Sequence, residues 1–213
     1  MTANAVTPSA LMVAFAPILV LFARARRKTA HVIERRRVRR MRRSPESTAQ
    51  ALRSAANVLV VCHGNIIRSP FAAHLLKRAL AGRAGVSISS AGLEAERGRP
   101  SHPIAVQTAA KLGIDLTSHS ATPLSLDEVV RADAIFVMDV PQLVALTRRY
   151  PAARRKTFLL TCLAGDTPLE IRDPVDCPPA VFSRCYEHIS RAVVSLAPAL
   201  SAVEERAFAC ATE

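Results

Sequence analysis

Hydrophobic and polar positions along the chain fall into two regimes that meet at Asn57. From there on the pattern is regular. Asn57 to Val61 (NVLVV) is an apolar, β-branched run, which predicts a strand buried on both faces. Pro70 to Leu80 places apolar residues at helical spacing. Val86 to Ala91 (VSISSA) alternates as a strand does and ends at Gly92, and His102 to Leu112 reads as a helix stopped by Gly113. Ala134 to Met138 (AIFVM) predicts a third strand, followed by a helix from Pro141 to about Arg149. Phe158 to Thr161 predicts a short fourth strand, and Ala180 to Leu200 a long amphipathic helix. Strands alternating with helices predict an α/β domain, a parallel sheet covered on both faces.

Before Asn57 the pattern is different. Ala10 to Ala23 (ALMVAFAPILVLFA) is an unbroken apolar run containing Pro17, shorter than the roughly 20 residues that span a bilayer. Arginines crowd the stretch that follows, from Arg24 to Arg43. A secretory signal carries its positive charges ahead of the apolar run, so this is not one. Two readings of the leader stay open. Residues 10–23 hold a cytoplasmic domain at a membrane surface, helped by the basic stretch on anionic lipid; or the leader is disordered, or begins at a misplaced start codon. Ser44 to Ala56 reads as linker. The expected organisation is a leader and linker over 1–56, a catalytic domain over 57–205 and a tail over 206–213.

Charge sharpens that division. The formal net charge of +12 looks like a nucleic-acid signature until it is located. Residues 1–57 hold 12 Lys/Arg and 2 Asp/Glu, which leaves only +2 on the rest. A nucleic-acid partner is therefore not expected. Five cysteines, none at Cys-x-x-Cys spacing, give neither a disulfide framework nor a zinc site. In a reducing compartment one of them is free to be a nucleophile.

The sequence around Cys62 selects it. After the first strand come Cys62-His63-Gly64-Asn65-Ile66-Ile67-Arg68-Ser69-Pro70. A thiol leaves the strand end, five residues turn, and an arginine opens a helix. Such a turn aims successive backbone N–H groups into one concavity, and the helix N-terminus beneath adds partial positive charge. A phosphate fits that nest, and the Arg68 fork can grip two of its oxygens. The same field favours the thiolate of Cys62. Gly64 and Asn65 suit positive φ angles, Ser69 is placed to hydrogen-bond the thiolate, and Pro70 suits a first helical turn. The loop lacks the Gly-Lys-Ser/Thr ending of a nucleotide-binding Walker loop. A second element, Ile171-Arg172-Asp173-Pro174, puts a carboxyl in a proline-rich connection where it can protonate a leaving alkoxide or phenoxide.

From Asn57 to Leu200 these features resemble the low-molecular-weight protein tyrosine phosphatases. The similarity includes the Cys62 loop, Ser90-Ala91-Gly92, Gly113-Ile114-Asp115-Leu116 with His119, Phe136-Val137-Met138-Asp139, and Asp173-Pro174. The resemblance implies a four-stranded parallel sheet with helices on both faces, no metal and no organic cofactor. It implies a phosphorylated protein substrate and a phosphocysteine mechanism. Cys62 would attack, Arg68 would stabilise the equatorial oxygens, and Asp173 would protonate the leaving group and then activate water. His63, Gly64, Asn65, Ile66, Ile67 and Ser69 would form the phosphate cradle, with Asn65, Ser69 and His119 holding the loop and thiolate.

Departures from the family pattern carry information. Ile67 stands where many members have a second cysteine that traps an oxidised nucleophile as a disulfide. Glu94 to Gly98, and Val175 with Asp176, stand where aromatic residues usually wall the cleft, so a phosphotyrosine ring loses stacking worth about 1 kcal/mol per contact. Ile66 favours phosphotyrosine over phosphoarginine, whose relatives carry threonine there. Two other functions compete. A thioredoxin-coupled arsenate reductase of the same fold needs further cysteines near the third strand, where this chain has Met138-Asp139-Val140-Pro141. A phosphate-binding regulatory module would need neither the thiolate nor the acid.

Overall fold

The computed structural model describes residues 8–82 and 85–200, with backbone alone for residues 8–24 and Arg27. The expected tail 206–213, with Cys210, lies outside the described residues, as does the expected domain end at residue 205.

The chain begins with a 36-residue helix, Pro8–Arg43 (α1), and a short second helix, Pro45–Leu52 (α2). Then follow β1 (Asn57–Cys62), α3 (Arg68–Ala79), β2 (Ser87–Gly92), α4 (Pro103–Ala110) and α5 (Leu126–Arg131). The domain finishes with β3 (Ala134–Val137), α6 (Val140–Arg149), a 3-10 turn over Pro151–Lys156, β4 (Thr157–Leu159) and α7 (Pro179–Leu200). The four strands form one parallel sheet in the order β2-β1-β3-β4.

β1 sits centrally, and its period of two explains the layering. Val58, Val60 and Cys62 enter one core with side chains of α3, α4 and α7. Leu59 and Val61 enter the other, with Val140, Leu143 and Val144 of α6. Burying each such aliphatic side chain contributes about 1.5–3 kcal/mol. A run buried on both faces is therefore what a central parallel strand requires.

The leader does more than the sequence pattern foretells. Val38 of α1 is buried in the second core, and Leu52 and Ala55 are buried in the first. Arg37 donates from Nη2 to the carbonyl of Thr157 (3.1 Å), the first residue of edge strand β4, so a side chain of α1 reaches that edge. Buried Glu34 accepts from Arg37 Nη1 (3.1 Å) and Arg154 Nε (2.7 Å), which pairs its charge. Ser44 to Ala56, expected as linker, is mostly helix. Eight residues such as PESTAQAL gain little from intrinsic propensity, and α2 stands by burying Leu52 and Thr48. Among the described residues no helix is long and apolar enough to cross a membrane.

Candidate active site

Residues 63–67 connect the C-terminal end of β1 to the N-terminus of α3, the place where an open parallel sheet presents a crevice. Cys62 is buried at the strand end. Its Sγ accepts hydrogen bonds from the Asn65 backbone N–H (3.2 Å) and from Ser69 Oγ (3.0 Å). Two donors thus converge on one sulfur. Among the described residues no hydrogen bond uses the backbone N–H of Gly64, Ile66 or Ile67. Those groups are available to an anion.

Asn65 is the keystone of the turn. Its φ of 53° lies in the left-handed region that Asn tolerates better than most residues. Its Nδ2 donates to Ser69 Oγ (2.9 Å) and Ser90 Oγ (3.0 Å), and its Oδ1 accepts from Thr122 N (2.9 Å). Its carbonyl lies 2.8 Å from His119 Nε2. The expected pairing of Asn65, Ser69 and His119 around the loop is thus present in space. Gly64, also expected at positive φ, is not there, and a Cβ on it would meet only the Ile66 side chain at 3.6 Å.

Gly92, at the end of β2, is the glycine the loop requires. A Cβ there would stand 2.7 Å from the His63 carbonyl oxygen and 2.9 Å from Asn65 N. Two backbone bonds hold β2 that close: Leu93 N to Cys62 O (3.0 Å) and Glu94 N to His63 O (2.9 Å). Gly92→Ala is expected to push the loop off its geometry and cut turnover of para-nitrophenyl phosphate about 10²-fold. Unchanged steady-state kinetics in that variant would show that the loop absorbs the methyl group.

Arg68, though charged, is 2% exposed. Its Nη1 donates to Asp139 Oδ2 (3.0 Å) and to the Ile171 carbonyl (3.1 Å), and its Nη2 to Asp173 Oδ2. Burial pulls the guanidinium down, but the charges of Cys62, Asp173 and Asp139 outweigh it and hold Arg68 above the ordinary arginine range. Asp139 has two tasks, because its Oδ1 also caps α6 by accepting from Gln142 N (2.8 Å). In the sequence Asp139 stands out only as part of Phe136-Val137-Met138-Asp139, with its N-cap position ahead of Val-Pro-Gln as the local signal.

Helix α7 fixes the far end of the loop. Tyr186 stacks on Phe71 of α3 with ring centroids 3.8 Å apart, and its hydroxyl donates to Ile67 O (3.1 Å). The resulting cleft, about 190 Å³, is lined by Cys62, Arg68, Asp173, Glu94, Arg99 and Val175 together with His63, Gly64, Ile66 and Ile67. Glu94 and Val175, expected in place of aromatic walls, do line it, and among the described residues no Phe, Tyr or Trp ring does. Arg99 escapes the sequence reading, since a lone arginine in Arg97-Gly98-Arg99-Pro100 carries no signal of its own.

A family model described as low molecular weight phosphotyrosine protein phosphatase matches residues 57–206. The chain is 39% identical over 146 residues to EpsP of Ralstonia nicotianae, a probable low molecular weight protein-tyrosine-phosphatase. That match covers 68% of this chain and 97% of the relative. In structure it is similar to the tyrosine phosphatase AmsI of Erwinia amylovora, with a TM-score of 0.64 and 34% identity over 69% of this chain and 94% of that one. It is also similar to the arginine phosphatase YwlE of Geobacillus stearothermophilus, with a TM-score of 0.62 and 26% identity over 74% of this chain and 97% of that one.

Proposed function

Because the chain belongs to the low molecular weight phosphotyrosine protein phosphatase family, we propose that it hydrolyses phosphotyrosine in protein substrates through a phosphocysteine on Cys62. The observation that carries this reading is the pair of hydrogen bonds onto Cys62 Sγ inside a loop closed by Arg68 and faced by Asp173. The thiolate attacks phosphorus in line, and the bond from phosphorus to the tyrosine oxygen breaks. That oxygen leaves with the electron pair and takes a proton from Asp173. Water then attacks the phosphocysteine and gives a proton to the Asp173 carboxylate. The phosphorus–sulfur bond breaks, the electron pair returns to Cys62, and inorganic phosphate departs.

Arg68 suits the transition state because one edge of its fork is already held by Asp139 and the Ile171 carbonyl. The other edge, bonded to Asp173 without substrate, passes to a phosphate oxygen when substrate enters, and Asp173 is freed to act on the leaving group. The backbone N–H groups of Gly64, Ile66 and Ile67 hold the remaining oxygens. Ile66, apolar and in the cleft wall, suits an aryl ring and offers nothing to a guanidinium. The test uses phosphotyrosine and phosphoarginine peptides with acid quenching of the enzyme during turnover. Phosphotyrosine should be the better substrate, with phosphate trapped on Cys62. No hydrolysis of either, or phosphate trapped elsewhere, would sink the reading.

Arsenate reduction fares worse, because it needs thiols that relay oxidation. Burial pushes the thiols of Cys162 and Cys185 up to about 12, so neither supplies a ready thiolate. The same fact bears on oxidation of the enzyme itself. With Ile67 beside Arg68 and Cys185 protonated, peroxide should carry Cys62 past the sulfenic stage without a disulfide to stop it. Dithiothreitol should restore activity only after brief exposure. Full recovery after prolonged peroxide, with a mapped Cys62–Cys185 disulfide, would refute this.

The leader belongs to the same proposal as a tether of the domain, residues 57–205, to the cytoplasmic face of a membrane. It is supported by the apolar run at residues 10–23 and the basic stretch after it, where each Lys/Arg near anionic lipid is worth about 1 kcal/mol. Truncation at Asn57 would remove Val38, Leu52 and Ala55 from the core, so the clean comparison removes residues 1–24 only. Full-length protein should sediment with anionic vesicles and detach in part at high salt, and the truncated chain should detach completely. Full-length protein that ignores anionic vesicles at low salt would end the tether idea.

A further inference from the structure

Away from the cleft, α1 and the loop before Asp173 enclose a groove of about 420 Å³ lined by Arg35, Arg39, Arg42, Arg43, Gly165 and Leu169. Four of its six lining residues are arginines. Arg35, Arg39 and Arg43 follow one another at four-residue spacing and so share one row of the helix, where like charges repel. All three are exposed. Asp166 acts on Arg42 and Glu170 on Arg35, which leaves the rest of the row to be neutralised from outside. Arg35 Nη2 lies 3.7 Å from Glu170 Oε1, and among the described residues Arg39 and Arg43 have no carboxylate partner.

Arg42 is fixed in place rather than free. Its Nη2 donates to the carbonyls of Ala164 and Thr167, yet its Nε is buried without any hydrogen-bond partner. A buried donor left unpaired is costly, and an acceptor atom in the groove would relieve it. Gly165 adds open space, since a Cβ there would meet nothing within 4 Å. Four arginines lining one open concavity, one of them with an orphan donor, offer charge and hydrogen bonds to a group of several negatively charged oxygens.

We propose that this groove is a second anion site, separate from the Cys62 loop, which binds a group carrying two or more phosphates. Its source is either a soluble polyphosphate ester or a polyphosphorylated lipid head group. It is distinct from general attraction to a membrane surface. At a helical rise of 1.5 Å per residue, Arg35 to Arg43 lie about 18–30 Å along α1 from Ala23. That exceeds two Debye lengths of about 8 Å at physiological salt. An apolar run entering lipid end-on would leave these arginines beyond its reach, so the lipid source applies only where α1 lies along the surface.

Arg39→Glu/Arg43→Glu in the full-length chain tests the site, because neither residue belongs to the cleft or to a core. One arm titrates wild type and variant with inorganic tripolyphosphate by calorimetry. The other compares vesicles holding a diphosphorylated inositol lipid with phosphatidylserine vesicles of equal total charge. The variant should lose affinity for tripolyphosphate, for the inositol-lipid vesicles or for both by about tenfold or more. The arm that loses identifies the source. Inhibition of para-nitrophenyl phosphate hydrolysis by tripolyphosphate, which reads the Cys62 loop, should be the same in both proteins. Equal affinity of variant and wild type in both arms, or an equal loss on phosphatidylserine, would overturn the proposal.

Discussion

Cys62→Ser should lower turnover of para-nitrophenyl phosphate by roughly 10⁴-fold or more, the scale on which removing an enzymic nucleophile acts, while vanadate still binds. Serine keeps the shape of the strand end, and its oxygen can accept from Asn65 N and Ser69 Oγ as the sulfur does. The anion cradle depends on backbone N–H groups and Arg68, none of which the substitution touches. What is lost is the sulfur nucleophile, because an alcohol is intrinsically a far weaker acid and nucleophile than a thiol. Arg68→Ala is the complementary variant and a harsher one. It removes the grip on phosphate and leaves Asp139 and Asp173 facing each other beside the Ile171 carbonyl. Removing one partner of a buried charge pair costs about 3–5 kcal/mol, so loss of both binding and thermal stability is expected there. Cys62→Ser at near wild-type rate, measured by steady-state hydrolysis, would overthrow the phosphocysteine route.

Much of this arrangement was legible before any coordinates, for identifiable reasons. β1 and β3 are short apolar runs because the sheet is covered on both faces, and the pattern carries that directly. Cys62, Asn65, Arg68 and Ser69 were legible because one continuous turn must supply the thiol, the positive φ, the fork and the hydroxyl. Long-range pairings were not. Nothing local ties Asp139 to Arg68, Thr122 to Asn65, or Tyr186 to Ile67, since each contact joins elements brought together only by the fold. Docking of the leader was hidden for the same reason. A run of arginines reads as solvated, yet Arg37 and Arg42 cap carbonyls of β4 and its following loop through 120 or more residues of chain. Helix α5 is a different case. Its Ser125-Leu-Asp-Glu128 capping box is a local signal, but six residues are too few to carry an apolar periodicity.

Asp173→Asn should cut turnover of phosphotyrosine substrates by something like 10²- to 10⁴-fold, the usual worth of a general acid. The side chain is well placed for that role. One backbone and one side-chain bond steady its segment, Ile171 N to Met138 O (2.8 Å) and Arg68 Nη1 to Ile171 O (3.1 Å), while the carboxyl itself is about one third exposed at the cleft. Asparagine preserves size and can still accept from Val175 N, as Asp173 Oδ1 does at 3.2 Å. It cannot deliver a proton. Arg68 keeps Asp139 as a carboxylate partner in this variant, so the loss of thermal stability should be much smaller than in Arg68→Ala. The decisive readout is dependence on the leaving group. A phenol that departs easily as its anion needs little protonation, and its loss should be far smaller than that of phosphotyrosine. Dephosphorylation by water should slow as well, because the same carboxylate accepts the proton of water, and phosphocysteine should then accumulate on Cys62 during turnover of a good substrate. An equal loss across good and poor leaving groups, without such accumulation, would make Asp173 a prop for Arg68 and leave the proton donor to be found elsewhere in the cleft.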